Sequence, residues 1–199
     1  MVIEEIPVGL LSIQEKRETF ANAETGVYWD VEDFPVTDIS RFCKKIRLAL
    51  RRAGYHGKVS ITAYGDKKES RYEDAGITFV SRGSKRARNH RMLLDIHCWA
   101  AENRTLAPTN LMVITKNIMR DEDDEDTQFV CSLEDLLCSS YNVLLAVPDD
   151  YQLEKIPFKL DSVWLWSALL RGKSHLDESL IVRQPPQEEV ESVCPMCEK

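Results

Sequence analysis

The chain has 199 residues, 43% of them hydrophobic, which suits one domain of ordinary size with a substantial core and tails. Its 33 acidic residues outnumber 26 Lys and Arg, and the net charge of -7 excludes a global basic footprint, so nucleic acid has to be held through a local patch. No apolar run approaches the roughly 20 residues that span a bilayer, and Met1 to Leu11 carries acids where a signal peptide carries bases, so neither membrane insertion nor secretion is expected.

Residues 1–23 read as a mixed leader. Val27–Asp30 is the first expected strand, an apolar run that stops at Asp30, Glu32 and Asp33, with Pro35 barring regular continuation. A buried parallel strand would deliver these carboxylates to its C-terminal end, where open α/β sheets bind their ligands. Such oxygens suit a hard cation and metal-assisted phosphoryl chemistry; a solvated acidic turn accounts for the same residues. Alternation sends either Tyr28 or Trp29 to the core and leaves the other to stack on a base.

Asp38 or Ser40 caps a helix to about Ala53, with Phe42, Ile46, Leu48 and Leu50 as its apolar positions and Gly54 as its stop. Val59–Tyr64 and Ile77–Val80 are the next strands. A helix follows from about Asn89 to Glu102, with Leu94, Cys98 and Ala101 facing inward, and then a strand at Leu111–Thr115. The run Asp121–Asp126 repels itself and favours a solvated loop. Residues 127–140 read as a helix and Asn142–Val147 as a fifth strand. Ser162–Leu170 packs through Trp164 and Trp166 as an element of either type, and from Gly172 the polar tail with Pro185 and Pro186 reads as disordered. The alternation predicts an α/β domain with a mostly parallel central sheet and helices on both faces.

Among the six cysteines, Cys43 and Cys98 read as buried thiols in a reducing compartment. Cys194 and Cys197 have a zinc-type spacing, but no second pair follows; an incidental tail feature competes with half of a site that another chain completes.

Several segments in order carry a resemblance. They are Tyr28-Trp29-Asp30-Val31-Glu32-Asp33-Phe34-Pro35, Ile61-Thr62-Ala63-Tyr64-Gly65-Asp66, Leu93 to Ala100, Tyr141 to Ala146, and Ser162 to Trp166. Over about residues 24–171 the chain resembles the NYN domain, a PIN-like nuclease fold, and within it the plant-type members similar to the limkain/meiosis-arrest proteins, which act on mRNA stability. The resemblance implies a three-layer α/β/α, Rossmann-like domain between the leader 1–23 and the tail 172–199, with an acidic insertion at about 116–126. It also implies a metal-dependent endoribonuclease that serves RNA turnover and the regulation of gene expression. On that reading magnesium or manganese is held by Asp30, Asp95 and Asp126, with Asp66 beside them in the catalytic set. Asp66 also suits a Gly-Asp turn, and Asp95 suits a satisfied helix residue.

The departures from the family pattern motivate an alternative reading. Asn89 stands where the family has an aspartate six positions before Asp95, and brings oxygen without charge. Aligned backward from Tyr141, Asp126 takes one family acid position and Gln128 the next; aligned forward from Thr115, Asn117 and Met119 take them and both acids are lost. Fewer carboxylates bind an ion more weakly, so the alternative is a catalytically impaired module that binds RNA or protein without cleaving.

Ser81 to Arg91 is the one concentrated basic stretch, and it leads into the Asp95 helix. Lys85, Arg86, Arg88, His90 and Arg91 are the residues expected to contact RNA, with single-stranded RNA as the partner; a solubilising loop or a nuclear-localisation-like run is the bland account. The acidic loop and the C-terminal tail are the expected surfaces for protein partners. Cytoplasm is the default location. The terminal Cys-Glu-Lys is not a peroxisomal address, although some relatives of the resembled family associate with peroxisomes.

Overall fold

A computed structural model describes residues 13–103, 108–116, 127–138, 141–156, 160 and 162–176. Its strands are β1 (Thr25–Asp30), β2 (Val59–Gly65), β3 (Thr78–Ser81), β4 (Asn110–Ile114), β5 (Asn142–Val147) and β6 (Val163–Leu165). They form one sheet in the order β3-β2-β1-β4-β5-β6, and each neighbouring pair is parallel. The helices are α1 (Ile13–Phe20), α2 (Ile39–Arg52), α3 (Ser70–Asp74), α4 (Lys85–Asn103), α5 (Thr127–Cys138) and α6 (Trp166–Leu170). The expected α/β architecture holds, with the sheet wholly parallel among the described residues.

Two apolar layers sandwich the sheet. Trp29, Phe42, Ile46, Leu50, Tyr72 and Trp164 form one core under α2, α3 and α6. Tyr28, Tyr64, Met92, Ile96, Phe129 and Leu133 form the other under α4 and α5. Because both faces are covered, all six residues of β1 are buried, Tyr28 as well as Trp29, and neither ring is left to stack on a base. A parallel strand covered on both sides is apolar throughout, so alternation has nothing to divide.

Local signals fix the helix ends. The Asp38 carboxylate accepts from the Arg41 amide at 2.8 Å and caps α2, and Gly54, at φ 94°, turns the chain out of it. Helix α4 begins at Lys85 rather than Asn89, because the Ser84 hydroxyl accepts from the Ala87 amide at 3.2 Å and forms the cap. Its inward stripe is Met92, Leu93, Ile96 and Ala100; Leu94, Cys98 and Ala101 face outward, with Leu94 54% exposed. Cys43 is buried as expected, but Cys98 is exposed.

Residues 13–23 of the leader contribute to the fold. Phe20 and Ala23 are buried, and their carbonyls accept from Asn110 Nδ2 at 3.0 and 3.3 Å. The 162–170 segment divides into β6 and α6, with Trp164 buried and Trp166 packed on Phe34 and Phe42. Ordered chain continues past Gly172: Lys173 accepts from Trp164 Nε1 at 3.1 Å, and the Leu176 amide donates to Val163 at 2.8 Å.

Strand β1 is followed by β2 on one side and flanked by β4 on the other. The chain therefore leaves the C-terminal ends of β1 and β4 in different directions, and a crevice opens between them. Asp30 ends β1, and Thr115 lies just beyond β4.

Candidate carboxylate site at the C-terminal sheet edge

Asp30 is fully buried. Its Oδ1 accepts from the amides of Glu32 at 3.0 Å and Asp33 at 3.3 Å, which folds the loop after β1 back over the strand end. Arg88, on the second turn of α4, sets its Nε 3.2 Å from Oδ1 and 3.1 Å from Oδ2. The same guanidinium donates through Nη1 to the Gly83 carbonyl at 2.8 Å, so its approach is fixed from both sides. Burial pushes the Asp30 carboxyl upward and Asp33 adds to the push, while Arg88 and Lys85 pull it down without cancelling the rise.

Asp33 is the second inward carboxylate, 10% exposed. Lys85 donates to its Oδ2, as do the Thr115 hydroxyl at 3.0 Å and the Lys116 amide at 2.9 Å. Burial alone would raise this carboxyl; the Lys85 ammonium and the two other donors hold it below its ordinary value. Asp33 thus ties the β1 end to the β4 end across the crevice.

Asp95 lies further along the same helix. Arg91 Nε is 2.9 Å from its Oδ1 and 3.0 Å from its Oδ2, and the buried Tyr64 hydroxyl donates to Oδ2 at 2.9 Å. Burial, with Asp95 next in effect, pushes the Tyr64 hydroxyl well above its usual value, so it stays a donor. Asp66 stands apart at the exposed end of β2. Its amide donates to Glu32 Oε1 at 3.0 Å and its carbonyl accepts from Ser81 at 2.6 Å; none of these bonds reaches Asp30.

Of the residues expected to line the site, the fold brings Asp30 and Asp95 onto the α4 side of the sheet and leaves Asp66 at the rim. Asn89 is buried on α4. Asp126, the rest of the acidic run, the Gln128 side chain, Cys194 and Cys197 lie outside the described residues. Of the basic stretch, Lys85, Arg88 and Arg91 point to Asp33, Asp30 and Asp95, and Arg86 and His90 are exposed at the surface. Asp33 was legible as part of the acidic strand end but not as an expected ligand, and Thr115 and Tyr64 were not legible as site residues. The spacing of Lys85, Arg88 and Arg91 is the signal that was available, because positions three apart share a helix face once Ser84 is taken as the cap.

A resident magnesium or manganese ion needs carboxylate oxygens left open to it. Here both Asp30 oxygens meet Arg88, both Asp95 oxygens meet Arg91, and Asp33 Oδ2 collects three donors. Among the described residues, no three His, Cys, Asp or Glu side chains converge as a cation cage. As folded, this donor set does not fit the ion that the resemblance implies.

A search among curated proteins finds no match. The family model for the NYN domain matches residues 24–156, well over half of the chain and the whole stretch from β1 to the turn after β5. That span contains every carboxylate and cation described above, and the chain therefore belongs to the NYN domain family, within the PIN-like nuclease superfamily.

Proposed function

We propose that this chain is an NYN module that holds RNA at the C-terminal edge of its sheet and does not cleave it through the Asp30 carboxylate. One observation carries the reading: Asp30 is fully buried and its two oxygens are taken by Arg88, in contact at 3.1 and 3.2 Å. A carboxylate so engaged is poorly placed to hold an ion between attacking and leaving oxygens.

RNA contact then falls to the basic groups that the fold leaves exposed at this edge. Arg86 and His90 are exposed at the start of α4, and Lys116 is exposed beyond β4. Next to Lys116 lies a cleft of about 420 Å³ bounded by Tyr151 and Lys155. Lysines that hold phosphates and a ring that accepts a base are what a single strand requires. The motif matches support a place in the plant-type branch and a role in RNA turnover. Retention of a labelled single-stranded RNA on a filter, in chelator, is the test. Retention that weakens in Arg86→Ala and Lys155→Ala is expected; no retention by the intact chain would end this reading.

The second reading is a magnesium- or manganese-dependent endoribonuclease that uses Asp30, Asp66, Asp95 and Asp126. Family membership favours it, together with Asp30 and Asp95 on one side of the sheet. Cleavage that needs both the metal and Asp30 would establish it.

A further inference from the structure

We infer that Lys85 and Arg88 are a tethered substitute for a divalent cation: their two positive charges occupy the Asp30 and Asp33 carboxylates, and the site neither needs a metal ion nor admits one while they are in place. The inference deepens the reading of a site that does not cleave.

Charge balance is the first support. Two carboxylates meet two cations, with Arg88 on Asp30 and Lys85 on Asp33. Burial is the second. The Asp30 side chain is 0% exposed and that of Arg88 7%, so this is no surface pair that opens freely to solvent. Separating such a pair leaves an uncompensated buried charge, and an incoming ion would have to meet that penalty.

Local structure is the third support. The first turn of α4 contains no acid, although a helix N-terminus favours negative charge. The acids that complement it come instead from the loop after β1. The Ser84 cap fixes the helix start, and Lys85 and Arg88, three positions apart, face the same way. The Gly83 carbonyl holds the guanidinium at 2.8 Å, so Arg88 is positioned before any ligand arrives. Without the two cations, Asp30, Asp33 and the Thr115 hydroxyl would remain as an oxygen set of the kind a hard cation takes.

The test is a manganese titration of the full chain without RNA, reading the resonance signal of the free aquated ion. The wild-type chain should leave the ion free. The variant Lys85→Ser with Arg88→Ser should bind it at least about tenfold more tightly, since ligand charge sets affinity, and adding Asp30→Asn should abolish the gain. Asp30-dependent binding by the wild type as tight as the variant's would overturn the inference, and so would a variant that gains none. Should the serine variant not fold alone, folding recovered by manganese counts for the inference. Failure to fold with or without manganese, while the neutral pair Asp30→Asn with Arg88→Met folds, counts against it. Because no RNA is present, a failure here leaves RNA retention standing, and lost RNA retention leaves this result standing.

Discussion

The Arg88 guanidinium lies against the Asp30 carboxylate, with Nε 3.1 Å from Oδ2 and 3.2 Å from Oδ1, and both side chains are closed off from solvent. This contact joins the end of β1 to α4 and sets the electrostatics of the whole edge.

Breaking one half of the pair should cost more than removing both. Arg88→Met or Asp30→Asn alone leaves a buried charge without its partner, for an expected loss of about 3–5 kcal/mol in urea unfolding. The double variant should regain most of that loss, because the desolvation of two charges disappears with them. Additive losses in the double-mutant cycle would mean that the two residues do not depend on each other.

Asp33 makes a pH-dependent contribution with a definite sign. Its carboxyl is held below the ordinary value, so the unfolded chain takes up the proton first on acidification. The stability that it supplies is present above the unfolded value of about 3.9 and is lost as pH falls through the depressed one. Asp33→Asn should cost about 2 kcal/mol near pH 7, and the difference from wild type should vanish in strong acid. Asp30, whose carboxyl is raised, works in the opposite sense. A cost of Asp33→Asn that stays constant down the acid limb would refute the assignment.

Gly65 bears on the site through space. A Cβ there would sit 2.6 Å from Val31 Cγ2 and 3.0 Å from Phe79 Cζ. The loop that carries Glu32 and Asp33 lies on β2 at this point, so Gly65→Ala should destabilise by about 1–3 kcal/mol, as overpacking does. Denaturant midpoints report this directly, and an unchanged midpoint would show that the loop gives way without cost.

RNA affinity should distinguish the exposed cations from the one held against Asp95. Losing one phosphate contact to a single strand should flatten the dependence of log affinity on log salt by about 0.7. Arg86→Ala, Lys116→Ala and Lys155→Ala are each expected to do so, with secondary structure unchanged. Arg91→Ala, whose guanidinium sits on Asp95, should leave the slope as it was. Equal slopes in all four variants would place RNA elsewhere on the chain.

Much of this fold was legible. β5 lies at Asn142–Val147 as read from its apolar run, and α2 keeps its Asp38 cap and Gly54 stop, because each is written in local chemistry. What stayed hidden depends on partners distant in sequence. Phe20 is a core residue only because Asn110 and the sheet wait for it. α3 has five residues, too few for a periodic pattern to stand out. The α4 face was misjudged because Leu94 and Cys98 mimic an inward stripe, while the true one begins at Met92. At the site, the acids and bases could be read, but their pairing could not. Arg88 reads as a surface cation in a basic run, and only the packing of α4 against β1 brings it to Asp30.

The most direct measurement is the fate of a labelled single-stranded RNA incubated with the full chain in manganese, in magnesium and in chelator, beside Asp30→Asn. RNA should be bound and intact in all three, with no difference between wild type and variant in cleavage. Metal-dependent cleavage that disappears in Asp30→Asn would contradict the proposed function.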